Sequence, residues 1–209
     1  MSKVAIHGFS QSTYVWTVRA ICAAKGVEAD FNAISVPDSK SEEHLARQPF
    51  GKVPAFQHGD FKLYETSAIT RYVDRNFDGQ AFTPSDNQRA ARMDQWVSVI
   101  DSYLYSAAVL NYAFGYIFPG TEDGSPNREL IEAGLPRLEQ VLGVLEAGVE
   151  GPWMLGDELT LADFFLVPLL AVTSMFPEGK ELLGKHPKLS GVLGHSMGNA
   201  AFSSTMPSK

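Results

Sequence analysis

The first 36 residues carry the pattern of a strand, a helix and a second strand. Residues 4–9 form a short apolar run that is broken by Gly8, as expected for a buried strand and a turn. Apolar side chains then recur at helical spacing over residues 15–22, and residues 29–36 alternate weakly between apolar and polar. A β–α–β unit requires a right-handed crossover and a parallel pair of strands. The chain is therefore predicted to begin with an α/β domain.

The same domain is predicted to continue with a hairpin and a helix. Two short apolar segments, 53–56 and 61–64, flank a Gly-containing turn, which is typical of a β-hairpin. Residues 65–77 then show apolar side chains at helical spacing. The segment 80–87 is polar and contains proline, as a linker does. We therefore place the first domain at residues 1–80.

Residues 87–209 carry no convincing strand pattern, and they are predicted to form an all-helical second domain. Apolar side chains recur at helical spacing in three long segments, 90–118, 130–149 and 160–176. Thr160 is followed three residues later by Asp163, which resembles a capping box with Asp in place of Glu. We interpret this pair as a folding signal. The predicted fold class is α/β followed by all-α.

The charge distribution argues against a nucleic-acid partner. The chain has a formal net charge of −7, and all of it falls on residues 81–209, because residues 1–80 carry 9 basic and 9 acidic side chains. Binding to phosphate backbones needs clustered Lys and Arg, and no such cluster is present in the sequence. A small anionic ligand is expected on the neutral first part instead.

The sequence also indicates a cytoplasmic protein without a membrane segment. A single cysteine cannot form an internal disulfide, and the first residues lack the apolar core of a secretory signal. The most apolar stretch, 159–176, is interrupted by Asp163 and Pro168 and is shorter than the roughly 20 clean apolar residues of a bilayer span.

The first helix start is the most informative place for chemistry. The chain has no phosphate-binding loop, no GxGxxG, no HExxH and no GxSxG, and its five histidines lack metal-ligand spacing, so no metal site is predicted. In a thioredoxin-type unit this helix start would hold a C-x-x-C dithiol, but here it is Ser12-Thr13-Tyr14-Val15. Dithiol redox chemistry is therefore excluded. The helix start still favours an anion and offers a hydroxyl group. Cys22 lies on the apolar stripe of this helix, which favours a buried packing role.

Over nearly its whole length the chain resembles the glutathione S-transferases. The resemblance is carried by residues 43–56 (EHLARQPFGKVPAF), residues 63–72 (LYETSAITRY) and residues 159–163 (LTLAD). It implies a thioredoxin-like first domain that binds glutathione as co-substrate, and an all-helical second domain that contributes the acceptor pocket. It also implies a homodimer, in which 67–75 meets 89–96 and Phe50 acts as an aromatic plug.

The resemblance further implies a role for individual residues. In the serine-using classes a Ser at the first helix start contacts the glutathione sulfur, and Ser12 holds this position, with Ser10 and Tyr14 as alternatives. The expected glutathione contacts are Lys40, Lys52, the backbone of Val53 ahead of a cis Pro54, Glu65 and Thr66. The expected acceptor-pocket residues are Phe9, Tyr14, Tyr105, Tyr112 and Tyr116.

These residues predict a transferase that activates the glutathione thiol for attack on a hydrophobic electrophile. Two other functions stay open at this point. One is a glutathione-dependent isomerase or reductase, although the lack of a Cys at the helix start weakens the thiol-exchange version. The other is a non-catalytic binding or regulatory protein on the same fold.

Overall fold

A computed structural model describes residues 3–207, which form two compact units. The first comprises residues 3–83 together with 197–207, and the second comprises residues 84–196. The division lies within the predicted linker. The sequence predicts a second domain over 87–209, but residues 197–207 group with the first unit.

The first unit is built on a four-stranded sheet with the order β2-β1-β3-β4. Its strands are β1 (Val4–Gly8), β2 (Ala29–Ala33), β3 (Ala55–His58) and β4 (Phe61–Tyr64). As predicted, β1 and β2 are parallel, and β3 and β4 form an antiparallel hairpin. The sheet is completed by antiparallel pairing of β1 with β3, in which Ile6 lies opposite Phe56. Both side chains are fully buried in the core.

Within residues 3–83 the same unit contains the helices α1 (Thr13–Ala24), α2 (Glu42–Leu45) and α3 (Thr66–Asn76), with a 3₁₀ turn at Pro37–Lys40. The predicted second strand is shorter than expected and ends at Ala33, before this turn. The core side chains of α1 and α3 are apolar at helical spacing, as amphipathic helices packed on a sheet require. The fully buried ones include Val15, Val18, Ile21, Ile69 and Val73.

The C-terminal segment belongs to the first unit because Trp16 of α1 anchors it. The indole Nε1 of Trp16 donates hydrogen bonds to the carbonyl oxygen of Phe202 at 3.3 Å and to Oγ1 of Thr205 at 3.1 Å. Phe202, in helix α10 (Ala200–Ser203), is fully buried. These two contacts join residues that are 186 and 189 positions apart in the sequence. No local sequence pattern could reveal them.

The second unit consists of helices α4 (Asn87–Val99), α5 (Phe114–Ile117), α6 (Arg128–Gly148), α7 (Leu161–Ser174), α8 (Pro177–Gly184) and α9 (Pro187–Met197). Between α4 and α5 the helix is wound as a π-helix over Ile100–Leu104 and Ser106–Ala113. The predicted helix 90–118 therefore exists, but its central part makes i→i+5 bonds and turns its side chains differently from an α-helix.

The start of α7 confirms the predicted capping box. Oδ2 of Asp163 accepts hydrogen bonds from the backbone N–H and the hydroxyl of Thr160, both at 2.9 Å. Its other oxygen, Oδ1, accepts from the backbone N–H of Met154 at 2.7 Å. Asp163 is fully buried and so fixes both the helix and the loop before it.

Candidate active site

The end of β1 brings the start of α1 and the segment before β3 together. Gly8 ends β1, and a Cβ at Gly8 would lie 2.3 Å from Cγ2 of Val15 and 3.3 Å from Cβ of Val53. Only a residue without a side chain allows this approach. The helix start that carries Ser12 and the backbone of Val53 therefore lie at the same end of the strand.

Ser12 is the N-cap residue of α1. Its backbone is extended (φ −70°, ψ 127°), and its Oγ accepts a hydrogen bond from the backbone N–H of Val15 at 3.4 Å. The cap uses the oxygen as an acceptor only, so the hydroxyl hydrogen is available to another group. The side chain is half-buried at the end of the helix that favours negative charge. A hydroxyl in this place can stabilise a thiolate.

The two alternatives to Ser12 differ from it in position. Ser10 precedes the helix, and its Oγ donates to Oε1 of the exposed neighbour Gln11 at 2.8 Å. Tyr14 is half-buried and lies inside the first turn of α1. Phe9 is half-buried as well, and its carbonyl oxygen accepts from the backbone N–H of Ser12 at 3.1 Å.

Val53 lies just outside the sheet. The peptide bond between Val53 and Pro54 is cis, as the resemblance implies. The pairing of β3 begins at Ala55, which lies opposite His7 and Tyr64, so the backbone groups of Val53 fall beyond the ladder pairs. An extended ligand could pair with backbone groups in this position.

Two lysines are close to the turn that precedes Val53. Gly51 has a φ of +62°, which favours glycine, and a Cβ there would lie 2.8 Å from Nζ of Lys40. The ammonium group of Lys40 therefore lies directly over Gly51, and Lys52 is the next residue. Both lysine side chains are exposed. Together they make this turn attractive to a carboxylate.

Glu65 and Thr66 occupy the start of α3. Glu65 has a φ of +70°, an uncommon conformation for a residue other than Gly, and it precedes a helix of 11 residues. Its carbonyl oxygen accepts from the backbone N–H groups of Ala68 and Ile69, both at 3.0 Å. The side chain of Glu65 is exposed, whereas Thr66 is buried. An exposed carboxylate at this point can bind an ammonium group.

Sequence reasoning missed two further residues of this region, His44 and Gln48. Nε2 of His44 lies 2.7 Å from the carbonyl oxygen of Lys52, and Oε1 of Gln48 accepts from the backbone N–H groups of Phe50 and Lys52. Both residues are within the segment that carries the family resemblance, but their role depends on contacts between side chain and backbone that have no periodic signal.

Cys22 is not a candidate nucleophile. It is almost completely buried, and this burial raises the pKa of its thiol to about 12. The thiolate is the reactive form, and a thiol with this pKa is not ionised at neutral pH. The predicted packing role of Cys22 is confirmed.

The three tyrosines of the second unit that were expected in the acceptor pocket differ in their burial and contacts. Tyr112 is fully buried, and its hydroxyl accepts from the backbone N–H of Gly179 at 2.7 Å. The hydroxyl of Tyr116 donates to Oε2 of Glu178 at 2.5 Å, and its ring stacks on Phe176 with centroids 4.1 Å apart. Tyr105 is half-buried. Tyr112, one of the expected acceptor-pocket residues, lies in the π-helical part and packs into the core of its unit.

Within residues 3–207, no three His, Cys, Asp or Glu side chains are grouped so that they could hold a metal ion. In the same part of the chain, no helix combines the length and the apolar character needed to cross a membrane.

Comparisons with known proteins give a consistent result. The family described as "Glutathione S-transferase, N-terminal domain" matches residues 6–81, and "Glutathione S-transferase, C-terminal domain" matches residues 100–197. The probable glutathione S-transferase GSTF1 of Oryza sativa subsp. japonica is 31% identical over 172 residues, which cover 78% of this chain and 77% of that protein. Glutathione S-transferase 1 of Zea mays is 29% identical over 195 residues, 86% of this chain and 89% of that protein.

A similar solved structure is that of glutathione S-transferase I from maize in complex with an atrazine glutathione conjugate. It aligns with a TM-score of 0.84 and 26% identity, over 98% of this chain and 97% of that one. The fold class predicted from the sequence is confirmed. On the two matched domains and the identity to the rice relative, this chain belongs to the glutathione S-transferase family.

Proposed function

We propose that this protein conjugates glutathione to hydrophobic electrophiles, with Ser12 as the residue that activates the thiol. The observation that carries the proposal is that the start of α1, with Ser12, and the residue Val53 both lie close to Gly8, which has no side chain. This arrangement offers a hydroxyl donor for sulfur next to backbone groups for the rest of the ligand. The names of the relatives, and the glutathione conjugate bound in the maize structure, support the same reaction.

Activation of the thiol requires a modest free energy. A free thiol with a pKa of about 8.5 is only about 3% ionised at pH 7. Lowering this pKa by about two units corresponds to about 2.7 kcal/mol and makes most of the thiol ionised. One hydrogen bond from the Ser12 hydroxyl to the thiolate, together with the positive end of α1, can supply this amount. Holding the thiolate beside a bound electrophile adds the advantage of proximity.

The remaining proposed contacts bind the tripeptide away from its sulfur. The backbone of Val53 pairs with the cysteinyl part, and Glu65 with Thr66 binds the charged γ-glutamyl end. Lys40, whose ammonium lies over Gly51, and the exposed Lys52 next to that glycine bind the glycyl carboxylate. In this assignment each charged end of the extended ligand faces protein side chains of opposite charge.

The residues expected to contact the acceptor differ in how accessible their side chains are. Phe9, Tyr14 and Tyr105 are half-buried and keep part of their surface accessible. The hydroxyl groups of Tyr112 and Tyr116 are both engaged with Glu178 or its neighbour Gly179. We therefore propose Phe9, Tyr14 and Tyr105 as the first positions to examine for acceptor specificity.

We also propose that the protein is a cytoplasmic homodimer. Phe50 is 63% exposed, and its ring lies edge-on to that of Tyr64, which is 39% exposed, with centroids 6.3 Å apart. Such a pair of exposed aromatic rings is typical of an interface. Sedimentation equilibrium at micromolar concentration tests the assembly, and a mass near the 22.8 kDa of one chain would contradict it.

The experiment that tests the proposed function has two steps. Retention on immobilised glutathione tests binding, and turnover of a generic aromatic halide with glutathione tests conjugation. Retention without turnover of any electrophile would favour a non-catalytic binding protein. Turnover of a maleyl-type or disulfide substrate in place of the halide would favour an isomerase or a reductase. Failure of both steps would reject the proposal.

A further inference from the structure

Two buried side chains, and not a neighbouring strand, hold the backbone on both sides of Lys52. Gln48 is 2% exposed, and its Oε1 accepts from the backbone N–H of Phe50 at 2.8 Å and from that of Lys52 at 3.0 Å. His44 is 1% exposed, and its Nε2 lies 2.7 Å from the carbonyl oxygen of Lys52. We call His44 and Gln48 the Lys52 clamp. Its position is directly before the residue proposed to bind the cysteinyl part of glutathione.

The geometry assigns the tautomer of His44. A carbonyl oxygen can only accept a hydrogen bond, so the proton of the neutral imidazole is assigned to Nε2. The other nitrogen, Nδ1, is buried and has no hydrogen-bond partner in the part of the chain that the structure describes. Nε2 is therefore the nitrogen through which His44 donates to the carbonyl oxygen of Lys52.

The planarity of the peptide bond carries the effect of His44 to Val53. The carbonyl oxygen of Lys52 and the N–H of Val53 belong to the same peptide group, and this peptide is not among the cis bonds of the described chain. In a trans peptide the C=O and N–H bonds point in opposite directions within one plane. By holding the oxygen, His44 directs the N–H of Val53 away from itself. The hydrogen bond to the oxygen also polarises the peptide and makes its N–H a stronger donor.

We infer that His44 is a positioning residue for glutathione: it orients the Val53 N–H toward the cysteinyl backbone of the ligand, and Gln48 holds the opposite side of Lys52. This inference rests on the proposed function and deepens it. His44 does not touch the ligand and acts only through the peptide group between Lys52 and Val53. The predicted effect is therefore on the affinity for the tripeptide backbone, and not on the ionisation of the thiol.

The variants His44→Gln and His44→Asn distinguish a donor at the position of Nε2 from a donor at the position of Nδ1. The amide nitrogen of Gln reaches about as far as Nε2, whereas that of Asn reaches only about as far as Nδ1. With S-methylglutathione, which has no thiol to ionise, we expect His44→Asn to raise the Kd about 10-fold, the size of one hydrogen bond. We expect His44→Gln to stay within about twofold of the wild type. The pH profile of conjugation at saturating glutathione should be the same in all three proteins, because Ser12 is intact.

His58→Leu provides a matched control for loss of stability alone. His58 is half-buried in the same unit, and its Nδ1 lies 2.9 Å from the hydroxyl of Tyr72, away from Lys52. This variant should lower the melting temperature without changing the Kd for S-methylglutathione. A role of His44 in folding alone would give the same result for His44→Asn, so that outcome overturns the inference. Loss of affinity in His44→Gln equal to that in His44→Asn would also overturn it.

A measurement on the unaltered protein keeps the inference testable if His44→Asn does not fold. Nitrogen-15 NMR of the histidine side chains should show His44 protonated at Nε2, with a shift that changes when S-methylglutathione binds. A His44 signal that does not change at saturating S-methylglutathione would contradict a link between His44 and ligand binding. Wild-type protein that does not bind S-methylglutathione at all would reject the proposed function, whereas binding without any effect of His44 would reject only this inference.

Discussion

Gly8 and Val15 approach each other so closely that a Cβ on Gly8 would lie 2.3 Å from Cγ2 of Val15. Val15 is fully buried, so it has little room to move aside. The close contact places the start of α1, with Ser12, against the end of β1. The site geometry thus depends on the absence of one side chain.

Gly8→Ala should therefore both destabilise the protein and weaken glutathione binding. Overpacking of a filled core costs about 1–3 kcal/mol, and the expected response is a shift of the α1 start away from Val53. Urea unfolding gives the free energy, and titration with glutathione gives the affinity. Gly143→Ala is the control, because a Cβ at Gly143 meets nothing within 4 Å and the change replaces a helical glycine of α6. It should be neutral or slightly stabilising. Equal effects of the two substitutions would contradict the argument.

Asp163→Ala should cost more than an ordinary helix cap. Loss of a capping side chain typically costs about 0.5–2 kcal/mol. Here the substitution also leaves the buried N–H of Met154 and the hydroxyl of Thr160 without their acceptor, so we expect about 2–4 kcal/mol. Chemical unfolding measures this difference. The glutathione affinity of the folded fraction should be unchanged, and a protein of normal stability with altered affinity would show that Asp163 has a functional role.

Glu178 should make the stability of the protein depend on pH below about 4.5. Burial alone would raise the pKa of its carboxyl group, but hydrogen bonds from Tyr116, from its own backbone and from Arg128 outweigh burial and lower the pKa to about 2. A group with a pKa lower in the folded than in the unfolded state stabilises the fold above its unfolded pKa. This stabilisation is lost as the pH falls from about 4.5 toward 2.

The measurement is urea unfolding at about pH 5 and about pH 3 for the wild type, Glu178→Gln and Glu132→Gln. The loss of stability on acidification should be smaller in Glu178→Gln than in the wild type. Glu132 lies 3.6 Å from the same Arg128 but is 66% exposed, so its substitution should leave the pH dependence unchanged. The same acid response in all three proteins would show that Glu178 is not the responsible group.

Most of the helices and strands could be predicted from periodic patterns and local motifs in the sequence. The apolar runs of β1 and of the hairpin, and the capping pair Thr160 and Asp163, can be recognised because each depends on residues close together in sequence. The π-helical winding around Tyr112 was not foreseen, since apolar spacing alone does not distinguish it from an α-helix. The anchoring of Phe202 by Trp16 depends on a contact between distant positions, which periodicity cannot show.

In the candidate site, too, the residues with a local sequence signal could be predicted, whereas those defined by three-dimensional contacts could not. Ser12 could be proposed because a helix start has a recognisable pattern, and the segments around Val53 and Glu65 could be proposed because they resemble a family. The Lys52 clamp could not, because His44 and Gln48 act on backbone atoms eight and four residues away. The position of the Lys40 ammonium over Gly51 likewise depends on the three-dimensional path of the loop.

The role of Ser12 is tested most directly by the pH profile of conjugation with one electrophile, for the wild type and Ser12→Ala. Loss of one hydrogen bond to a charged sulfur, roughly 1.5–3 kcal/mol, should raise the pKa of the bound thiol by about one to two units and lower turnover at neutral pH roughly 10- to 100-fold. Much of this loss should disappear at high pH, and binding of S-methylglutathione should be nearly intact. Asn127→Ala, which removes the cap bond to the N–H of Leu130 in the other unit, controls for loss of a cap and should not change the profile. Superimposable profiles for the wild type and Ser12→Ala would contradict the account and leave Ser10 or Tyr14 as the group that contacts the sulfur.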